Sequence, residues 1–139
     1  LCHAPRVLLI GSDCLLLDRP YFEQALDALG IASLELRELT PTGTYGSSEV
    51  PRQSPLIRQH FKGPLILNSD YTKASAQAAI DSGVADGIAF GRPFIANPDL
   101  VERLRIDAPL NEWNPKTFYT QGAEGYTDYP AYPAYRVAA

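Results

Sequence analysis

The sequence predicts an α/β fold built on a parallel sheet. Three observations point there. Short apolar runs stop at glycine or small polar residues, as buried strands do. Between them lie stretches with helix start and stop signals, Asp, Thr or Pro before and Gly after. The two patterns alternate four times, and parallel strands must be joined by crossover segments of that kind.

Residues 6–10 (RVLLI) read as the first strand, closed by Gly11. Asp18 can cap, Pro20 suits a first helical turn and Gly30 suits a helix end. That makes YFEQALDALG the first helix, with Tyr21, Ala25, Leu26 and Leu29 on one face. Residues 31–36 (IASLEL) follow as a strand whose Ala32, Leu34 and Leu36 alternate with Ile31, Ser33 and Glu35. The next stretch, ELTPTGTYGSSEVPRQSP, is rich in Thr, Gly, Ser and Pro and reads as a long loop, a kind that is often functional in compact domains. Ser54-Pro55 opens a short helix, LIRQHF, which Gly63-Pro64 breaks. Residues 65–67 form the third strand, ending at Asn68-Ser69-Asp70. Thr72 caps KASAQAAIDSG, which stops at Gly83. Residues 85–90 (ADGIAF) form the fourth strand, ending at Gly91-Arg92, and Asn97-Pro98 caps the helix DLVERLR. From Ile106 the chain loses both periods and collects Tyr and Pro, so it is expected as an extended arm wrapping over other elements.

A chain of 139 residues fits one domain, and a 45% hydrophobic share is enough to bury a core. A net charge of -4 lacks the basic face that a nucleic-acid partner would need. No apolar run approaches the roughly 20 residues of a membrane helix. The opening segment does not read as a signal peptide, because Gly11, Ser12 and Asp13 interrupt its apolar runs; it also does not begin with Met. Cys2 and Cys14 make no disulfide framework, and with His3 and His60 they make no zinc cluster. Free thiols and a cytoplasmic location are the expectation.

Four βα units fall short of a closed barrel, which needs eight. They could form a small open doubly wound sheet. They could also form half a barrel, leaving two raw strand edges and an uncovered apolar inner face, both association hazards. In either case ligands bind at the C-terminal ends of the strands. Three such ends carry polar residues or glycine here: residues 35–38, 68–70 and 91–92. Gly91 lets a phosphate approach the backbone, and Arg92 supplies a bidentate cation. Ser69 and Asp70 would add amide donors ahead of a helix, although the Asp70 carboxylate repels phosphate and must point away or cap. Each piece also has a plainer reading as a turn, a cap or packing. Glu35 and Glu38 read as a solvated strand end rather than an acid/base pair, and no catalytic triad is visible.

Taken together, GPLILNSDYT, ADGIAFGRPFIANPDLVERL and LNEWNPKTFYTQGAEGYTDYP resemble the C-terminal end of the Old Yellow Enzyme family, most strongly after Gly63. The resemblance implies a (β/α)₈ TIM barrel holding FMN, of which this chain is the C-terminal half. Residues 21–105 would be the partial barrel, residues 106–139 an extended tail, and residues 1–20 an atypical N-terminal segment. It implies a phosphate grip by Ser69 and Asp70 after strand seven and by Gly91 and Arg92 after strand eight. It places Tyr126 in the substrate pocket and residues 40–47 as the strand-six lid. Family members often carry Gly and Asn where this chain has Ser69 and Asp70. The implied reaction is reduction of an activated alkene, a small molecule, driven by NAD(P)H through FMN.

Two departures set limits on that reading. The family's substrate-anchoring His pair, its flavin-ring residues and its proton-donor Tyr precede strand six and have no counterpart here, so no catalytic residue is assigned. Residues 1–20 do not read like the family's strand five, as would be seen in a truncated or frame-shifted product. The leading expectation is an FMN-dependent oxidoreductase lacking its catalytic N-terminal half. The alternative is a non-catalytic half-barrel module that self-associates or pairs with the missing half. A flavodoxin-like domain using the RVLLIGSD turn is a third, weakened by the lack of a glycine-rich fingerprint.

Overall fold

The computed structural model describes residues 7–10, 30–43, 49 and 51–133. The helix expected at YFEQALDALG except its final Gly30, most of residues 1–20, and residues 44–47 of the 40–47 lid lie outside the described residues. The chain forms two compact units, Leu1–Ala89 and Phe90–Ala139. The division falls between Ala89 and Phe90 in the chain.

In the first unit, β1 (Val7–Ile10), β2 (Ser33–Arg37), β3 (Leu65–Asn68) and β4 (Gly87–Ala89) form one sheet, with α1 (Ser54–His60) and α2 (Lys73–Asp81) between strands. The order is β1-β2-β3-β4 and every pairing is parallel. A doubly wound sheet reverses its order once, so that helices cover both faces. No reversal occurs among the described strands. That removes the open doubly wound and flavodoxin-like alternatives. Right-handed crossovers in unbroken sequence put their helices on one face only.

The register shows which face that is. Leu34 pairs with Leu65 and Leu36 with Leu67, and all four are at most 5% exposed. They form the core layer with Ile57 and Phe61, Tyr71, Ala76 and Ala85. Each buried leucine contributes about 2 kcal/mol of burial. The other face carries Ser33, Glu35 and Arg37 on β2, Ile66 and Asn68 on β3, and Gly87 and Ala89 on β4. Over β2 to β4 the expected apolar inner face is therefore polar or small except at Ile66. Strand periodicity could not show this, because Leu-Glu-Leu and Leu-Ile-Leu-Asn leave both faces open until a helix covers one.

Local chemistry explains the element ends. Thr72 caps α2 as expected, in a full capping box: its side chain accepts the Ser75 amide and the Ser75 hydroxyl accepts the Thr72 amide. β4 is shorter than the six residues expected, because Asp86 leaves the ladder to bind the start of β3. Its amide donates to the Leu65 carbonyl, and its carboxylate accepts the Leu65 amide at 2.8 Å and Arg58 Nη1 at 2.6 Å. Arg58 also holds the Phe61 and Gly63 carbonyls, closing the end of α1. Gly63 is required by a close approach, since a Cβ there would lie 2.6 Å from the Phe61 ring.

The second unit holds α3 (Arg92–Ala96) and α4 (Leu100–Ile106). α3 was not expected from sequence. Pro93 suits its first turn, and the Gly91 carbonyl accepts the Phe94 and Ile95 amides. Asn97 does not cap α4. It is fully buried, donates to the Pro93 carbonyl and accepts the Asn111 amide, both at 2.8 Å. The segment after Ile106 is not an extended arm throughout. It makes tight turns at residues 114–120 and 123–127, and Phe118 is buried.

That segment is tied to α4 by an ion pair which sequence reading missed. Asp99 and Arg103, one helical turn apart, meet at 2.7 Å with side chains 0% and 4% exposed. Arg103 also donates to the Pro109 and Pro130 carbonyls, and Asp99 accepts the Tyr132 amide. Burial alone would raise the Asp99 pKa, but the hydrogen bonds from Arg103 and Tyr132 outweigh it and hold the carboxyl below its ordinary value.

Candidate functional site

Ser69 and Asp70 follow β3 directly and turn the chain toward α2. Both are non-glycine residues at positive φ, 98° and 52°. Ser69 is half-buried and Asp70 exposed. The Ser69 amide donates to Asn68 Oδ1 at 2.7 Å, so Ser69 would reach a ligand through its hydroxyl rather than the expected amide. Asp70 does not cap α2, since Thr72 holds that position.

Gly91 and Arg92 follow β4 in the chain and open α3 in the second unit. A Cβ at Gly91 would meet nothing within 4 Å, so there is open space beside the backbone. Arg92 is half-buried, with its guanidinium carbon 5.8 Å from the Trp113 ring centroid. A guanidinium over an aromatic face is attracted by the ring's quadrupole, and its planar fork matches the geometry of a phosphate. Gly91 and Arg92 offer backbone near open space and a guanidinium, and Ser69 in the first unit a hydroxyl, each by itself a group that suits phosphate.

Tyr126 sits in the AEGYTD turn of the second unit. Its amide donates to the Ala123 carbonyl, and the preceding Gly125 is at φ +64°. Gly125 is doubly required, because a Cβ there would lie 2.3 Å from Thr117 Oγ1. The Thr117 hydroxyl donates to the Gly125 carbonyl, and the Gly125 amide donates to Asp128. Tyr126 is half-buried and meets Tyr119 edge-to-face, with centroids 5.6 Å apart. Tyr119 is the more accessible ring of the pair, 72% exposed at φ 62°. An exposed aromatic on strained backbone is a functional-site signal that sequence reading missed. Nothing in TFYTQG announces a positive φ at its tyrosine.

Glu38 corrects the solvated-strand-end reading. It is 8% exposed, and its Oε1 accepts the Gln53 and Ser54 amides at the start of α1. Glu35 accepts Asn68 Nδ2 at 2.9 Å. Neither forms an acid/base pair. Among the described residues no group of His, Cys, Asp and Glu could hold a metal ion, and no helix is long and apolar enough to cross a membrane.

Over residues 21–111 the sequence matches the NADH:flavin oxidoreductase / NADH oxidase family. It is 45% identical over 111 residues to a 12-oxophytodienoate reductase-like protein of Solanum lycopersicum, a match covering 79% of this chain and 29% of that protein. Among solved structures it is similar to the old yellow enzyme homologue from Zymomonas mobilis. That match has 54% identity and a TM-score of 0.74, and covers 80% of this chain and 31% of the other. It is also similar to morphinone reductase solved in complex with tetrahydroNAD, with 45% identity, a TM-score of 0.69, and coverage of 82% and 30%. The chain thus spans less than a third of the length of each of these proteins.

Proposed function

The chain belongs to the NADH:flavin oxidoreductase / NADH oxidase family, and from that premise we propose that it is the C-terminal half of an FMN-dependent (β/α)₈-barrel ene reductase. It would carry the flavin-phosphate grip and part of the substrate pocket. The observation that supports this most is the run GRPFIANPDLVERL directly behind β4, with Arg92 stacked on Trp113 and open space at Gly91. The unbroken strand order agrees with an arc of a barrel.

In this reading the Arg92 guanidinium and the Ser69 hydroxyl bind the FMN phosphate. Gly91 lets it approach the backbone, and Asp70 turns its carboxylate to solvent. When bound, FMN supplies the redox chemistry, taking a hydride from NAD(P)H and delivering it to the β-carbon of an activated alkene. Tyr119 and Tyr126 offer an aromatic wall against which a small apolar enone can lie. No group of residues 1–139 is assigned the proton transfer.

The test is a parallel titration of the full chain with FMN and with riboflavin, followed by flavin fluorescence. FMN should bind at least about tenfold more tightly, and Arg92→Ala should erase that difference, since one charge-assisted bidentate contact contributes about 1.5–3 kcal/mol. Equal affinity for both flavins would overturn the phosphate assignment. Supplied with FMN, NADPH and an enone, the chain alone should show no turnover above free flavin. Robust turnover would overturn the claim of catalytic incompleteness.

A further inference from the structure

Two successive non-glycine residues at positive φ, Ser69 and Asp70, are unfavourable in isolation. Such backbone persists only where its surroundings over-determine it. Upstream, Asn68 accepts the Ser69 amide and donates to Glu35, tying the turn to β2. Downstream, Tyr71 is 9% exposed, and its hydroxyl accepts a hydrogen bond from Arg52. The Arg52 guanidinium carbon also lies 4.7 Å from the Tyr71 ring centroid. Arg52 is itself held in place, because Glu38 Oε1 accepts the amides of the next two residues, Gln53 and Ser54. The second Glu38 oxygen is buried with no hydrogen-bond partner. Burial pushes the Tyr71 hydroxyl pKa up, Arg52 draws it down and Glu38 pushes it up, so the three groups feel one another's charge.

A phenylalanine at position 71 would bury the same ring. What tyrosine adds is the hydroxyl, and a buried hydroxyl is tolerated only with a partner. We infer that Tyr71, with Arg52 behind it, is a positioning residue that locks the Ser69–Asp70 turn in the shape offered to a phosphate-bearing ligand. The ligand half of this inference rests on the phosphate reading above; the lock itself does not.

The experiment uses the full chain, with amide hydrogen exchange of residues 70–72 by NMR beside FMN and riboflavin titrations. Tyr71→Phe should speed exchange at these amides about tenfold and weaken FMN binding about tenfold, the lower end for a residue that orients a ligand-contacting group. Riboflavin binding should stay unchanged. Arg52→Lys, which keeps a donor, should recover part of what Arg52→Met loses. Unchanged exchange in Tyr71→Phe would overturn the lock. Faster exchange with an unchanged FMN-to-riboflavin ratio, in a chain that prefers FMN, would overturn the link to the ligand. Should the wild-type chain bind both flavins alike, the phosphate reading fails, and exchange alone decides the lock.

Discussion

Arg103→Met tests how the second unit holds its C-terminal segment. The substitution keeps the aliphatic stem and removes three hydrogen bonds, to Asp99 and to the Pro109 and Pro130 carbonyls. It also removes the guanidinium 5.6 Å from the Tyr132 ring centroid. The Asp99 side chain is fully buried, so it loses its cation and keeps only the hydrogen bonds from the Tyr132 amide and its own amide. Breaking one side of a buried pair costs about 3–5 kcal/mol. At roughly 4 °C per kcal/mol for a chain of this size, Tm should fall by about 12–20 °C. Trp113 is the single tryptophan of the chain and belongs to the second unit, so its fluorescence reports this melting directly. The double variant Asp99→Asn/Arg103→Met removes the stranded charge and should melt several degrees above Arg103→Met alone. A single variant within about 2 °C of wild type would refute the reasoning. So would a double variant as unstable as the sum of its two singles.

Further outcomes follow from the same geometry. Gly125→Ala should destabilise by about 2 kcal/mol or more, because the added Cβ meets both positive φ and Thr117. Gly83→Ala meets positive φ with open space and should cost only about 1 kcal/mol, so comparing the two melts separates conformation from clash. The Asp99 pKa is depressed in the folded chain, so its stabilisation is complete above the unfolded carboxylate value of about 3.9 and is lost as pH falls through the lower folded value. Trp113 fluorescence should therefore be flat from about pH 5 to 8 and report unfolding below about pH 4. An unfolding midpoint near pH 5–6 would contradict that sign. Asp86→Asn should cost under about 1 kcal/mol by chemical denaturation, since its ion pair with Arg58 is more than half exposed on the Asp86 side and the Asn side chain still accepts the Leu65 amide.

Much of the first unit was legible in residue order. The apolar runs at Leu34–Leu36 and Leu65–Leu67 had to be strands, because alternating leucines bury on one face only at period two. Thr72 marked a helix start because a cap needs no distant partner, and the structure adds Ser75 as the other half of the capping box. Those features depend on near neighbours in the chain, and near neighbours are what a sequence displays. The candidate phosphate residues were legible for the same reason, as polar or glycine residues at strand ends.

Groups separated in the chain were settled only by the tertiary structure. Glu38 changed from a solvated charge to a buried one because the start of α1, fifteen residues on, brings two amides to it. Ser69 turned its amide onto Asn68, so its hydroxyl, not its backbone, is left to meet a ligand. Asp99 and Arg103, one turn apart, carry no sign of burial in residue order; Pro109, Pro130 and Tyr132 close over them in the folded chain. The sequence alone determined the kind of element, the strand ends and the family they resemble, because local propensity and motif spacing are properties of one segment. Only the tertiary structure decided the unbroken strand order, the polar sheet face, the exposed Tyr119 and the burial of Glu38, Tyr71 and Arg103, because each is a property of two segments meeting.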